Sequence, residues 1–253
     1  MNESKKYIFV GKTLFFPKEK ILVIGDLHLG YEEALRNRGL DIPLNQFEEM
    51  ISELTQVMDY IKVRYGKIEQ VIFLGDIKHH FGYLASEKEE IKKLLSFLRT
   101  KNIEEKNIIF IRGNHEKNEK NGKLLDYYIV KDSAFIHGHK EIAEIYASEI
   151  NLIVMAHLHP TITLSDKMNV KKEKYKCFLV GRFKKKDFVI VPSFLKITGG
   201  VSLSEFSDEI ARGHDLSIIP QKELENFNVY VVSEAGIASK EGALNFGKLK
   251  KLR

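Results

Sequence analysis

Acidic, amide and imidazole side chains gather at five places in this 253-residue chain: Gly25-Asp26-Leu27-His28, Gly75-Asp76, Gly113-Asn114-His115-Glu116, His137-Gly138-His139 and Ala156-His157-Leu158-His159. Carboxylate and amide oxygens mixed with imidazole nitrogens, and no thiolate, suit a catalytic divalent cation better than a closed structural zinc site. One Asp or His after an apolar run means little, because a capped turn uses the same residues. Each of these five clusters directly follows a short apolar run, however. Ligands gather outside the carboxyl ends of strands in α/β sheets, so five distant segments are aimed at one place. In an extended segment residues two apart point the same way, so Asp26 with His28, and His157 with His159, are expected to approach ions together. Gly25, Gly75 and Gly113 are expected to permit the sharp turns that place the side chains after them.

The runs that position these clusters lie at 21–24, 71–74, 108–111, 134–136 and 152–155, each too short for a helix and most rich in β-branched or aromatic residues. They read as buried strands, after an opening pair of strands at 7–10 and 13–16 turned at Gly11-Lys12. Helices alternate with them. Asn45 with Glu48 forms a capping-box signature ahead of Met50, Leu54, Val57, Met58 and Ile61 at helical spacing, and Ser86 with Glu89 does the same ahead of Ile91, Leu94, Leu95 and Leu98. Beyond Pro160 the reading is a hairpin of 177–183 and 188–192, with no helix assigned after it. A domain over 1–238 and a basic, partly disordered tail over 239–253 are expected.

In this order the motifs DxH, GD, GNH[D/E], HGH and [GA]HxHP resemble the calcineurin-like metallophosphoesterase superfamily. Asp26-Leu27-His28-Leu29-Gly30, Gly75-Asp76-Ile77-Lys78-His79 and His157-Leu158-His159-Pro160 resemble its ICC-like archaeal branch and the bacterial DNA-ligase-associated relatives. The motifs span residues 25–160. The resemblance implies a four-layer α/β/β/α sandwich. It also implies two divalent ions, one held by Asp26, His28, Asp76 and His159 and the other by Asp76, Asn114, His137 and His157, with His115 facing the substrate. Mn²⁺ is the expected metal, with Fe²⁺, Zn²⁺ and Ni²⁺ as alternatives. The implied reaction is hydrolysis of a phosphate ester by a metal-bridging hydroxide, with a phosphodiesterase or nuclease as the leading expectation. A phosphomonoesterase or small-nucleotide hydrolase is the alternative, and a non-catalytic metal-binding scaffold is a third reading that retention of all seven ligands and His115 disfavours. Two positions depart from the pattern: Ala156 replaces the usual glycine, and Glu116 stands where aspartate is common. The GDxxDRG continuation of protein phosphatases is absent after Asp76, which argues against a phosphoprotein substrate.

His79, His139 and Glu116 are candidates for supporting the ligands, as is His80. Arg112 is read either as an anion contact or as a surface residue, and His214 as structural. The lysines around 167–186 either track a nucleic-acid backbone or form an ordinary solvated hairpin. A net charge of +5 suits an anionic substrate without requiring one. No apolar run is long enough to span a bilayer, the start does not read as a signal peptide, and Cys177 has no partner for a disulfide, so a cytoplasmic protein with no membrane partner is expected.

Overall fold

The computed structural model describes residues 5–39, 45–79, 85–116, 124–165, 171–196, 217–233 and 242–252. Two β-sheets stack face to face. The first has the order β1-β2-β3-β4-β5-β6, from Ile8–Val10, Thr13–Phe16, Ile21–Ile24, Gln70–Phe73, Ile108–Ile111 and Leu124–Leu125. β1 to β3 form an antiparallel meander, and β3 to β6 run parallel. The second sheet is built from β7 (Tyr127–Val130), β8 (Ser133–Ile136), β9 (Leu152–Met155), β10 (Thr161–Ser165), β11 (Lys172–Phe183), β12 (Lys186–Ile190), β13 (Asn228–Val232) and β14 (Ala243–Lys248). Its order is β14-β13-β11-β12-β9-β8-β7, with β10 pairing β11 off that path. At its centre β12, β9 and β8 are parallel.

The strands read from the sequence are present because both faces of each are covered. Leu14, Val23, Ile72, Leu74, Phe135, Val154, Phe178 and Val189 fill the layer between the sheets. On the outer face of the first sheet, α2 (Gln46–Tyr65) lays down Met50, Leu54, Val57, Met58 and Ile61, and α3 (Ala85–Thr100) adds Leu94 and Leu98. On the outer face of the second sheet lie Ile145 in a 3-10 turn, Ile218, Ile219, and Leu224 of α4 (Gln221–Leu224). This is a mixed α/β sandwich with helices on both sides, as the resemblance implied. No described helix is long and apolar enough to cross a membrane.

Several local expectations need correction. Asn45 does occupy the cap of α2, but its side chain makes no capping hydrogen bond. Ser86 lies inside α3, where its hydroxyl donates to Glu33. The hairpin turn is tighter than read, with Lys184 and Lys185 both at positive φ between β11 and β12. α1 (Tyr31–Asn37) was not legible, because Ala34 is its one buried residue. Ala243–Lys248, assigned from sequence to a basic tail, pairs with β13 as β14. His80 and His214 lie outside the described residues, as do 166–170 of the lysine-rich stretch.

Candidate metal centre

Five strands deliver the sequence clusters to one end of the sandwich, three from the first sheet and two from the second. The loops after β3 and β4 continue side by side, with Leu27, His28 and Leu29 N–H donating to Asp76 and Ile77 carbonyls and His79 N–H returning to Leu29. Hydrogen bonds between the two sheets hold this end together. His137 Nδ1–H donates to the Leu74 carbonyl at 2.8 Å, and Phe194 N–H, beyond β12, donates to the Asp26 carbonyl at 2.9 Å.

The side chains converge in two groups. Asp26, His28 and His159 form one, with His28 Nε2 3.2 Å from His159 Nε2, which is itself 3.2 Å from Asp26 Oδ2. Asp76, His137 and His157 form the other, joined by Asn114. Around His137 Nε2 lie Asn114 Oδ1 at 3.0 Å, His157 Nδ1 at 3.0 Å and Asp76 Oδ2 at 3.4 Å. All seven residues expected from sequence are therefore brought together. Ligands about 2.1 Å from one ion and at right angles to each other lie about 3.0 Å apart, so this crowding of lone pairs matches a coordination shell. Asp26 Oδ1 is buried without a hydrogen-bond partner, a cost that a bound cation nearby would offset.

Electrostatics give the same answer. Burial opposes ionisation of Asp26, but His159, His137 and His28 hold its carboxyl well below the usual range. Burial and His159 push His28 down to about 3, and burial and His137 push His157 down to about 4, so both present neutral lone pairs at neutral pH. Burial disfavours charge on His137 as well, yet Asp76 and Asp26 raise it to about 9. The residues fit a divalent cation.

The convergence at strand ends is as read from sequence, but the pairing of Asp26 with His28 and of His157 with His159 does not come from extended backbone. The segments are not extended: His28, Asp76, His157 and His159 have φ of 48°, 43°, 69° and 45°, in the left-handed region. Non-glycine residues adopt it rarely, and His and Asp are among the types enriched there. Of the three glycines expected to turn sharply, Gly75 alone has positive φ (109°). Gly113 is required instead by crowding, since a Cβ there would collide with Asp76 Oδ1 and the Asp76 backbone. Ala156 has no positive φ, which is why alanine is tolerated.

His115 Nδ1–H donates to the His79 carbonyl at 2.5 Å, leaving Nε2 3.8 Å from Asp76 Oδ2 and partly open to solvent. Glu116 does not orient His115. Buried at 2% exposure, its Oε2 accepts from Gly113 N–H (2.8 Å) and Asp76 N–H (3.2 Å), and its Oε1 from Lys78 N–H (3.2 Å). It clamps the β4 and β5 loops together, supporting the ligand loops through their backbone. Rings of His79 and His139 stand 5.6 Å from His28 and 5.2 Å from His137. Arg112 is structural, bound to Asp126 and to the Glu116 and Leu124 carbonyls.

The lysine-rich stretch divides. β12 runs parallel to β9, so the Lys184-Lys185 turn sits at the end of the sheet away from the centre, whereas 172–176 of β11 sit at the near end beside Pro160.

A sequence profile of the calcineurin-like phosphoesterases matches residues 19–217. No curated protein matches the chain. Among solved structures, the Pseudomonas putida nuclease MPE aligns with 93% of this chain and 92% of its own at a TM-score of 0.56 and 17% identity. Vps29 of Chaetomium thermophilum (TM-score 0.34, 16% identity, 89% and 92% covered) and a metallophosphoesterase of Sphaerobacter thermophilus (0.30, 12%, 90% and 87%) align more loosely. With the profile spanning most of the fold and the donor groups assembled, the chain belongs to the calcineurin-like phosphoesterases and is a metal-dependent phosphoesterase.

Proposed function

We propose that this chain is a dinuclear phosphodiesterase of nuclease type, with Mn²⁺ as the preferred metal. Asp26, His28 and His159 would hold one ion, and Asn114, His137 and His157 the other, with Asp76 available to both. The observation that carries the reading is the presence of two separate donor groups, each combining one carboxylate with two imidazoles, at the meeting point of five strand ends. A bound divalent pair supplies charge neutralisation on phosphoryl oxygens and a water acidified towards neutrality.

The protein's own contribution is positional and protonic. The Leu74 carbonyl fixes the proton of His137 on Nδ1 and turns Nε2 inward. The His79 carbonyl fixes Nδ1 of His115, so a proton given to the leaving oxygen comes from Nε2, the ring atom that reaches towards Asp76 and solvent. The similarity to a protein titled a nuclease supports the diester preference.

The test is Mn²⁺-dependent hydrolysis of bis-p-nitrophenyl phosphate beside the monoester p-nitrophenyl phosphate. Preference for the diester is expected, and His115→Ala is expected to retain both ions while slowing turnover at least ~100-fold. Faster monoester cleavage would overturn the diesterase reading, and near wild-type turnover in a metal-loaded His115→Ala protein would remove His115 from the chemistry.

A further inference from the structure

Immediately beyond the ligand His159 and Pro160, the chain enters β10, which pairs antiparallel with the first half of β11. The register sets Thr161 opposite Lys176, Thr163 opposite Lys174 and Ser165 opposite Lys172. Directly opposed residues of an antiparallel pair share a face, and alternate residues return to it. One face of this ribbon is therefore a ladder of three lysines matched by three hydroxyl residues. The other face carries Ile162 with Tyr175 and Leu164 with Glu173. Residues 172–176 pair with β10 alone among the described strands, since β12 and β13 take up β11 from Cys177 onward.

The three lysines differ in role. Lys176, at the base, is half-buried and donates to the Ser193 carbonyl and hydroxyl at 2.8 and 2.6 Å and to the Leu195 carbonyl. Burial, with Lys12 and Lys174 nearby, holds its ammonium well below its ordinary value. Lys172 and Lys174 are exposed, and neither engages a carboxylate among the described residues. Lys174 and Lys176 form one wall of a groove of about 920 Å³, whose opposite wall is a face of α2 bearing Gln46, Glu49, Glu53 and Tyr60. Gln46 and Met50 of that face also line a small recess against His28, so the groove leads towards the metal centre. The acidic residues of the α2 wall are already engaged, Glu53 by Lys12 at 2.7 Å and Glu49 by Lys196 at 3.3 Å.

The geometry points to the β10–β11 ribbon as a docking track for the phosphate backbone of a single-stranded polynucleotide, with Lys172 and Lys174 contacting successive phosphates of the strand whose diester lies at the metals. Alternate residues of a strand are about 6.7 Å apart, a spacing that suits neighbouring phosphates of an extended strand. Ser165, exposed and opposite Lys172, adds a neutral donor for a phosphate oxygen. Tyr60, on the α2 wall, offers a ring beside the path. The inference rests on the nuclease reading and adds to it the path of the bound strand.

The test measures binding of a fluorescein-labelled single-stranded oligonucleotide by anisotropy across salt, in the Mn²⁺-loaded His115→Ala background so that the strand survives. Removing two phosphate contacts reduces the slope of log affinity against log salt by about 1.4. From 50 to 200 mM salt the parent should thus weaken about sevenfold more than a Lys172→Glu/Lys174→Glu variant. Lys184→Glu/Lys185→Glu, at the far end of the sheet, should keep the parent's slope. Equal slopes for both double variants, absence of oligonucleotide binding by the parent, or tighter binding of duplex than of single strand would each overturn the track. Wild-type hydrolysis of bis-p-nitrophenyl phosphate, measured separately, reports on the phosphodiesterase reading alone.

Discussion

Glu116→Gln isolates the clamp that joins the two ligand loops. In the native protein one buried carboxylate accepts three backbone N–H groups, two on Oε2 and one on Oε1. Glutamine keeps one oxygen, which can still serve Gly113 and Asp76, and turns an amide NH₂ towards the Lys78 N–H. The loss is one charge-assisted bond plus an orphaned buried donor, about 1.5–3 kcal/mol. Part of it is offset, because burial and the neighbouring Asp76 raise the pKa of Glu116 and the amide removes that unfavourable charge. A net loss of about 2 kcal/mol corresponds to a fall in Tm of roughly 4–8 °C for a chain of this size. Glu116→Ala strands all three donors and should cost more, about 3 kcal/mol even with a water in the space. Because the clamp sets the distance between Asp76 and Asn114, Mn²⁺ affinity should fall about 10–100-fold. Thermal unfolding of both variants with calorimetric Mn²⁺ titration decides the matter. A glutamine variant with wild-type Tm and Mn²⁺ affinity within about twofold of wild type would refute the clamp.

Gly113→Ala drives a methyl into the Asp76 carboxylate and backbone, and should cost about 1–3 kcal/mol and weaken Mn²⁺ binding, read by the same titration. Glu90, which accepts from Gly30 N–H, has its pKa raised by burial, with Glu32, Glu48 and Glu87 adding repulsion. Its folded form therefore binds more protons than the unfolded chain, and the stability this provides is present below the ordinary glutamate value and lost as pH rises through the folded one. The Tm of Glu90→Gln minus that of wild type should be more positive near about pH 7 than about pH 4, and the opposite trend would contradict the placement of Glu90. Mn²⁺ at a hundredfold its dissociation constant should stabilise the wild type by about 2.7 kcal/mol, seen as a chelator-reversible rise in Tm.

The ligands were legible because strands buried on both faces read as short apolar runs, and each run stops where chemistry begins. Fold class followed from the same runs and from the α2 and α3 stripes. The first half of β11 was not legible, because Lys172-Glu173-Lys174-Tyr175-Lys176 alternates charge with charge rather than apolar with polar, whereas its partner β10, Thr161-Ile162-Thr163-Leu164-Ser165, does carry the alternation of a strand. The capping boxes failed because docking of a helix onto a sheet sets its first turn, and Ser86 found a partner in Glu33 rather than in its own backbone. The loop conformation at the ligands had no sequence signal either: nothing in His157-Leu158-His159 announces two left-handed residues, and the extended geometry first assigned reached the right grouping by the wrong path.

Those left-handed ligands have an evolutionary consequence. Each of His28, Asp76, His157 and His159 sits where glycine would be more comfortable, at a cost on the order of 1–3 kcal/mol apiece. The three histidines could shed that cost by becoming glycine, an exchange opposed by metal ligation and, at the buried His28, by the packing of its ring. A lineage or laboratory population kept folded but no longer required to turn over substrate would drift towards glycine at 28, 157 and 159 first, becoming a steadier protein as it lost its chemistry.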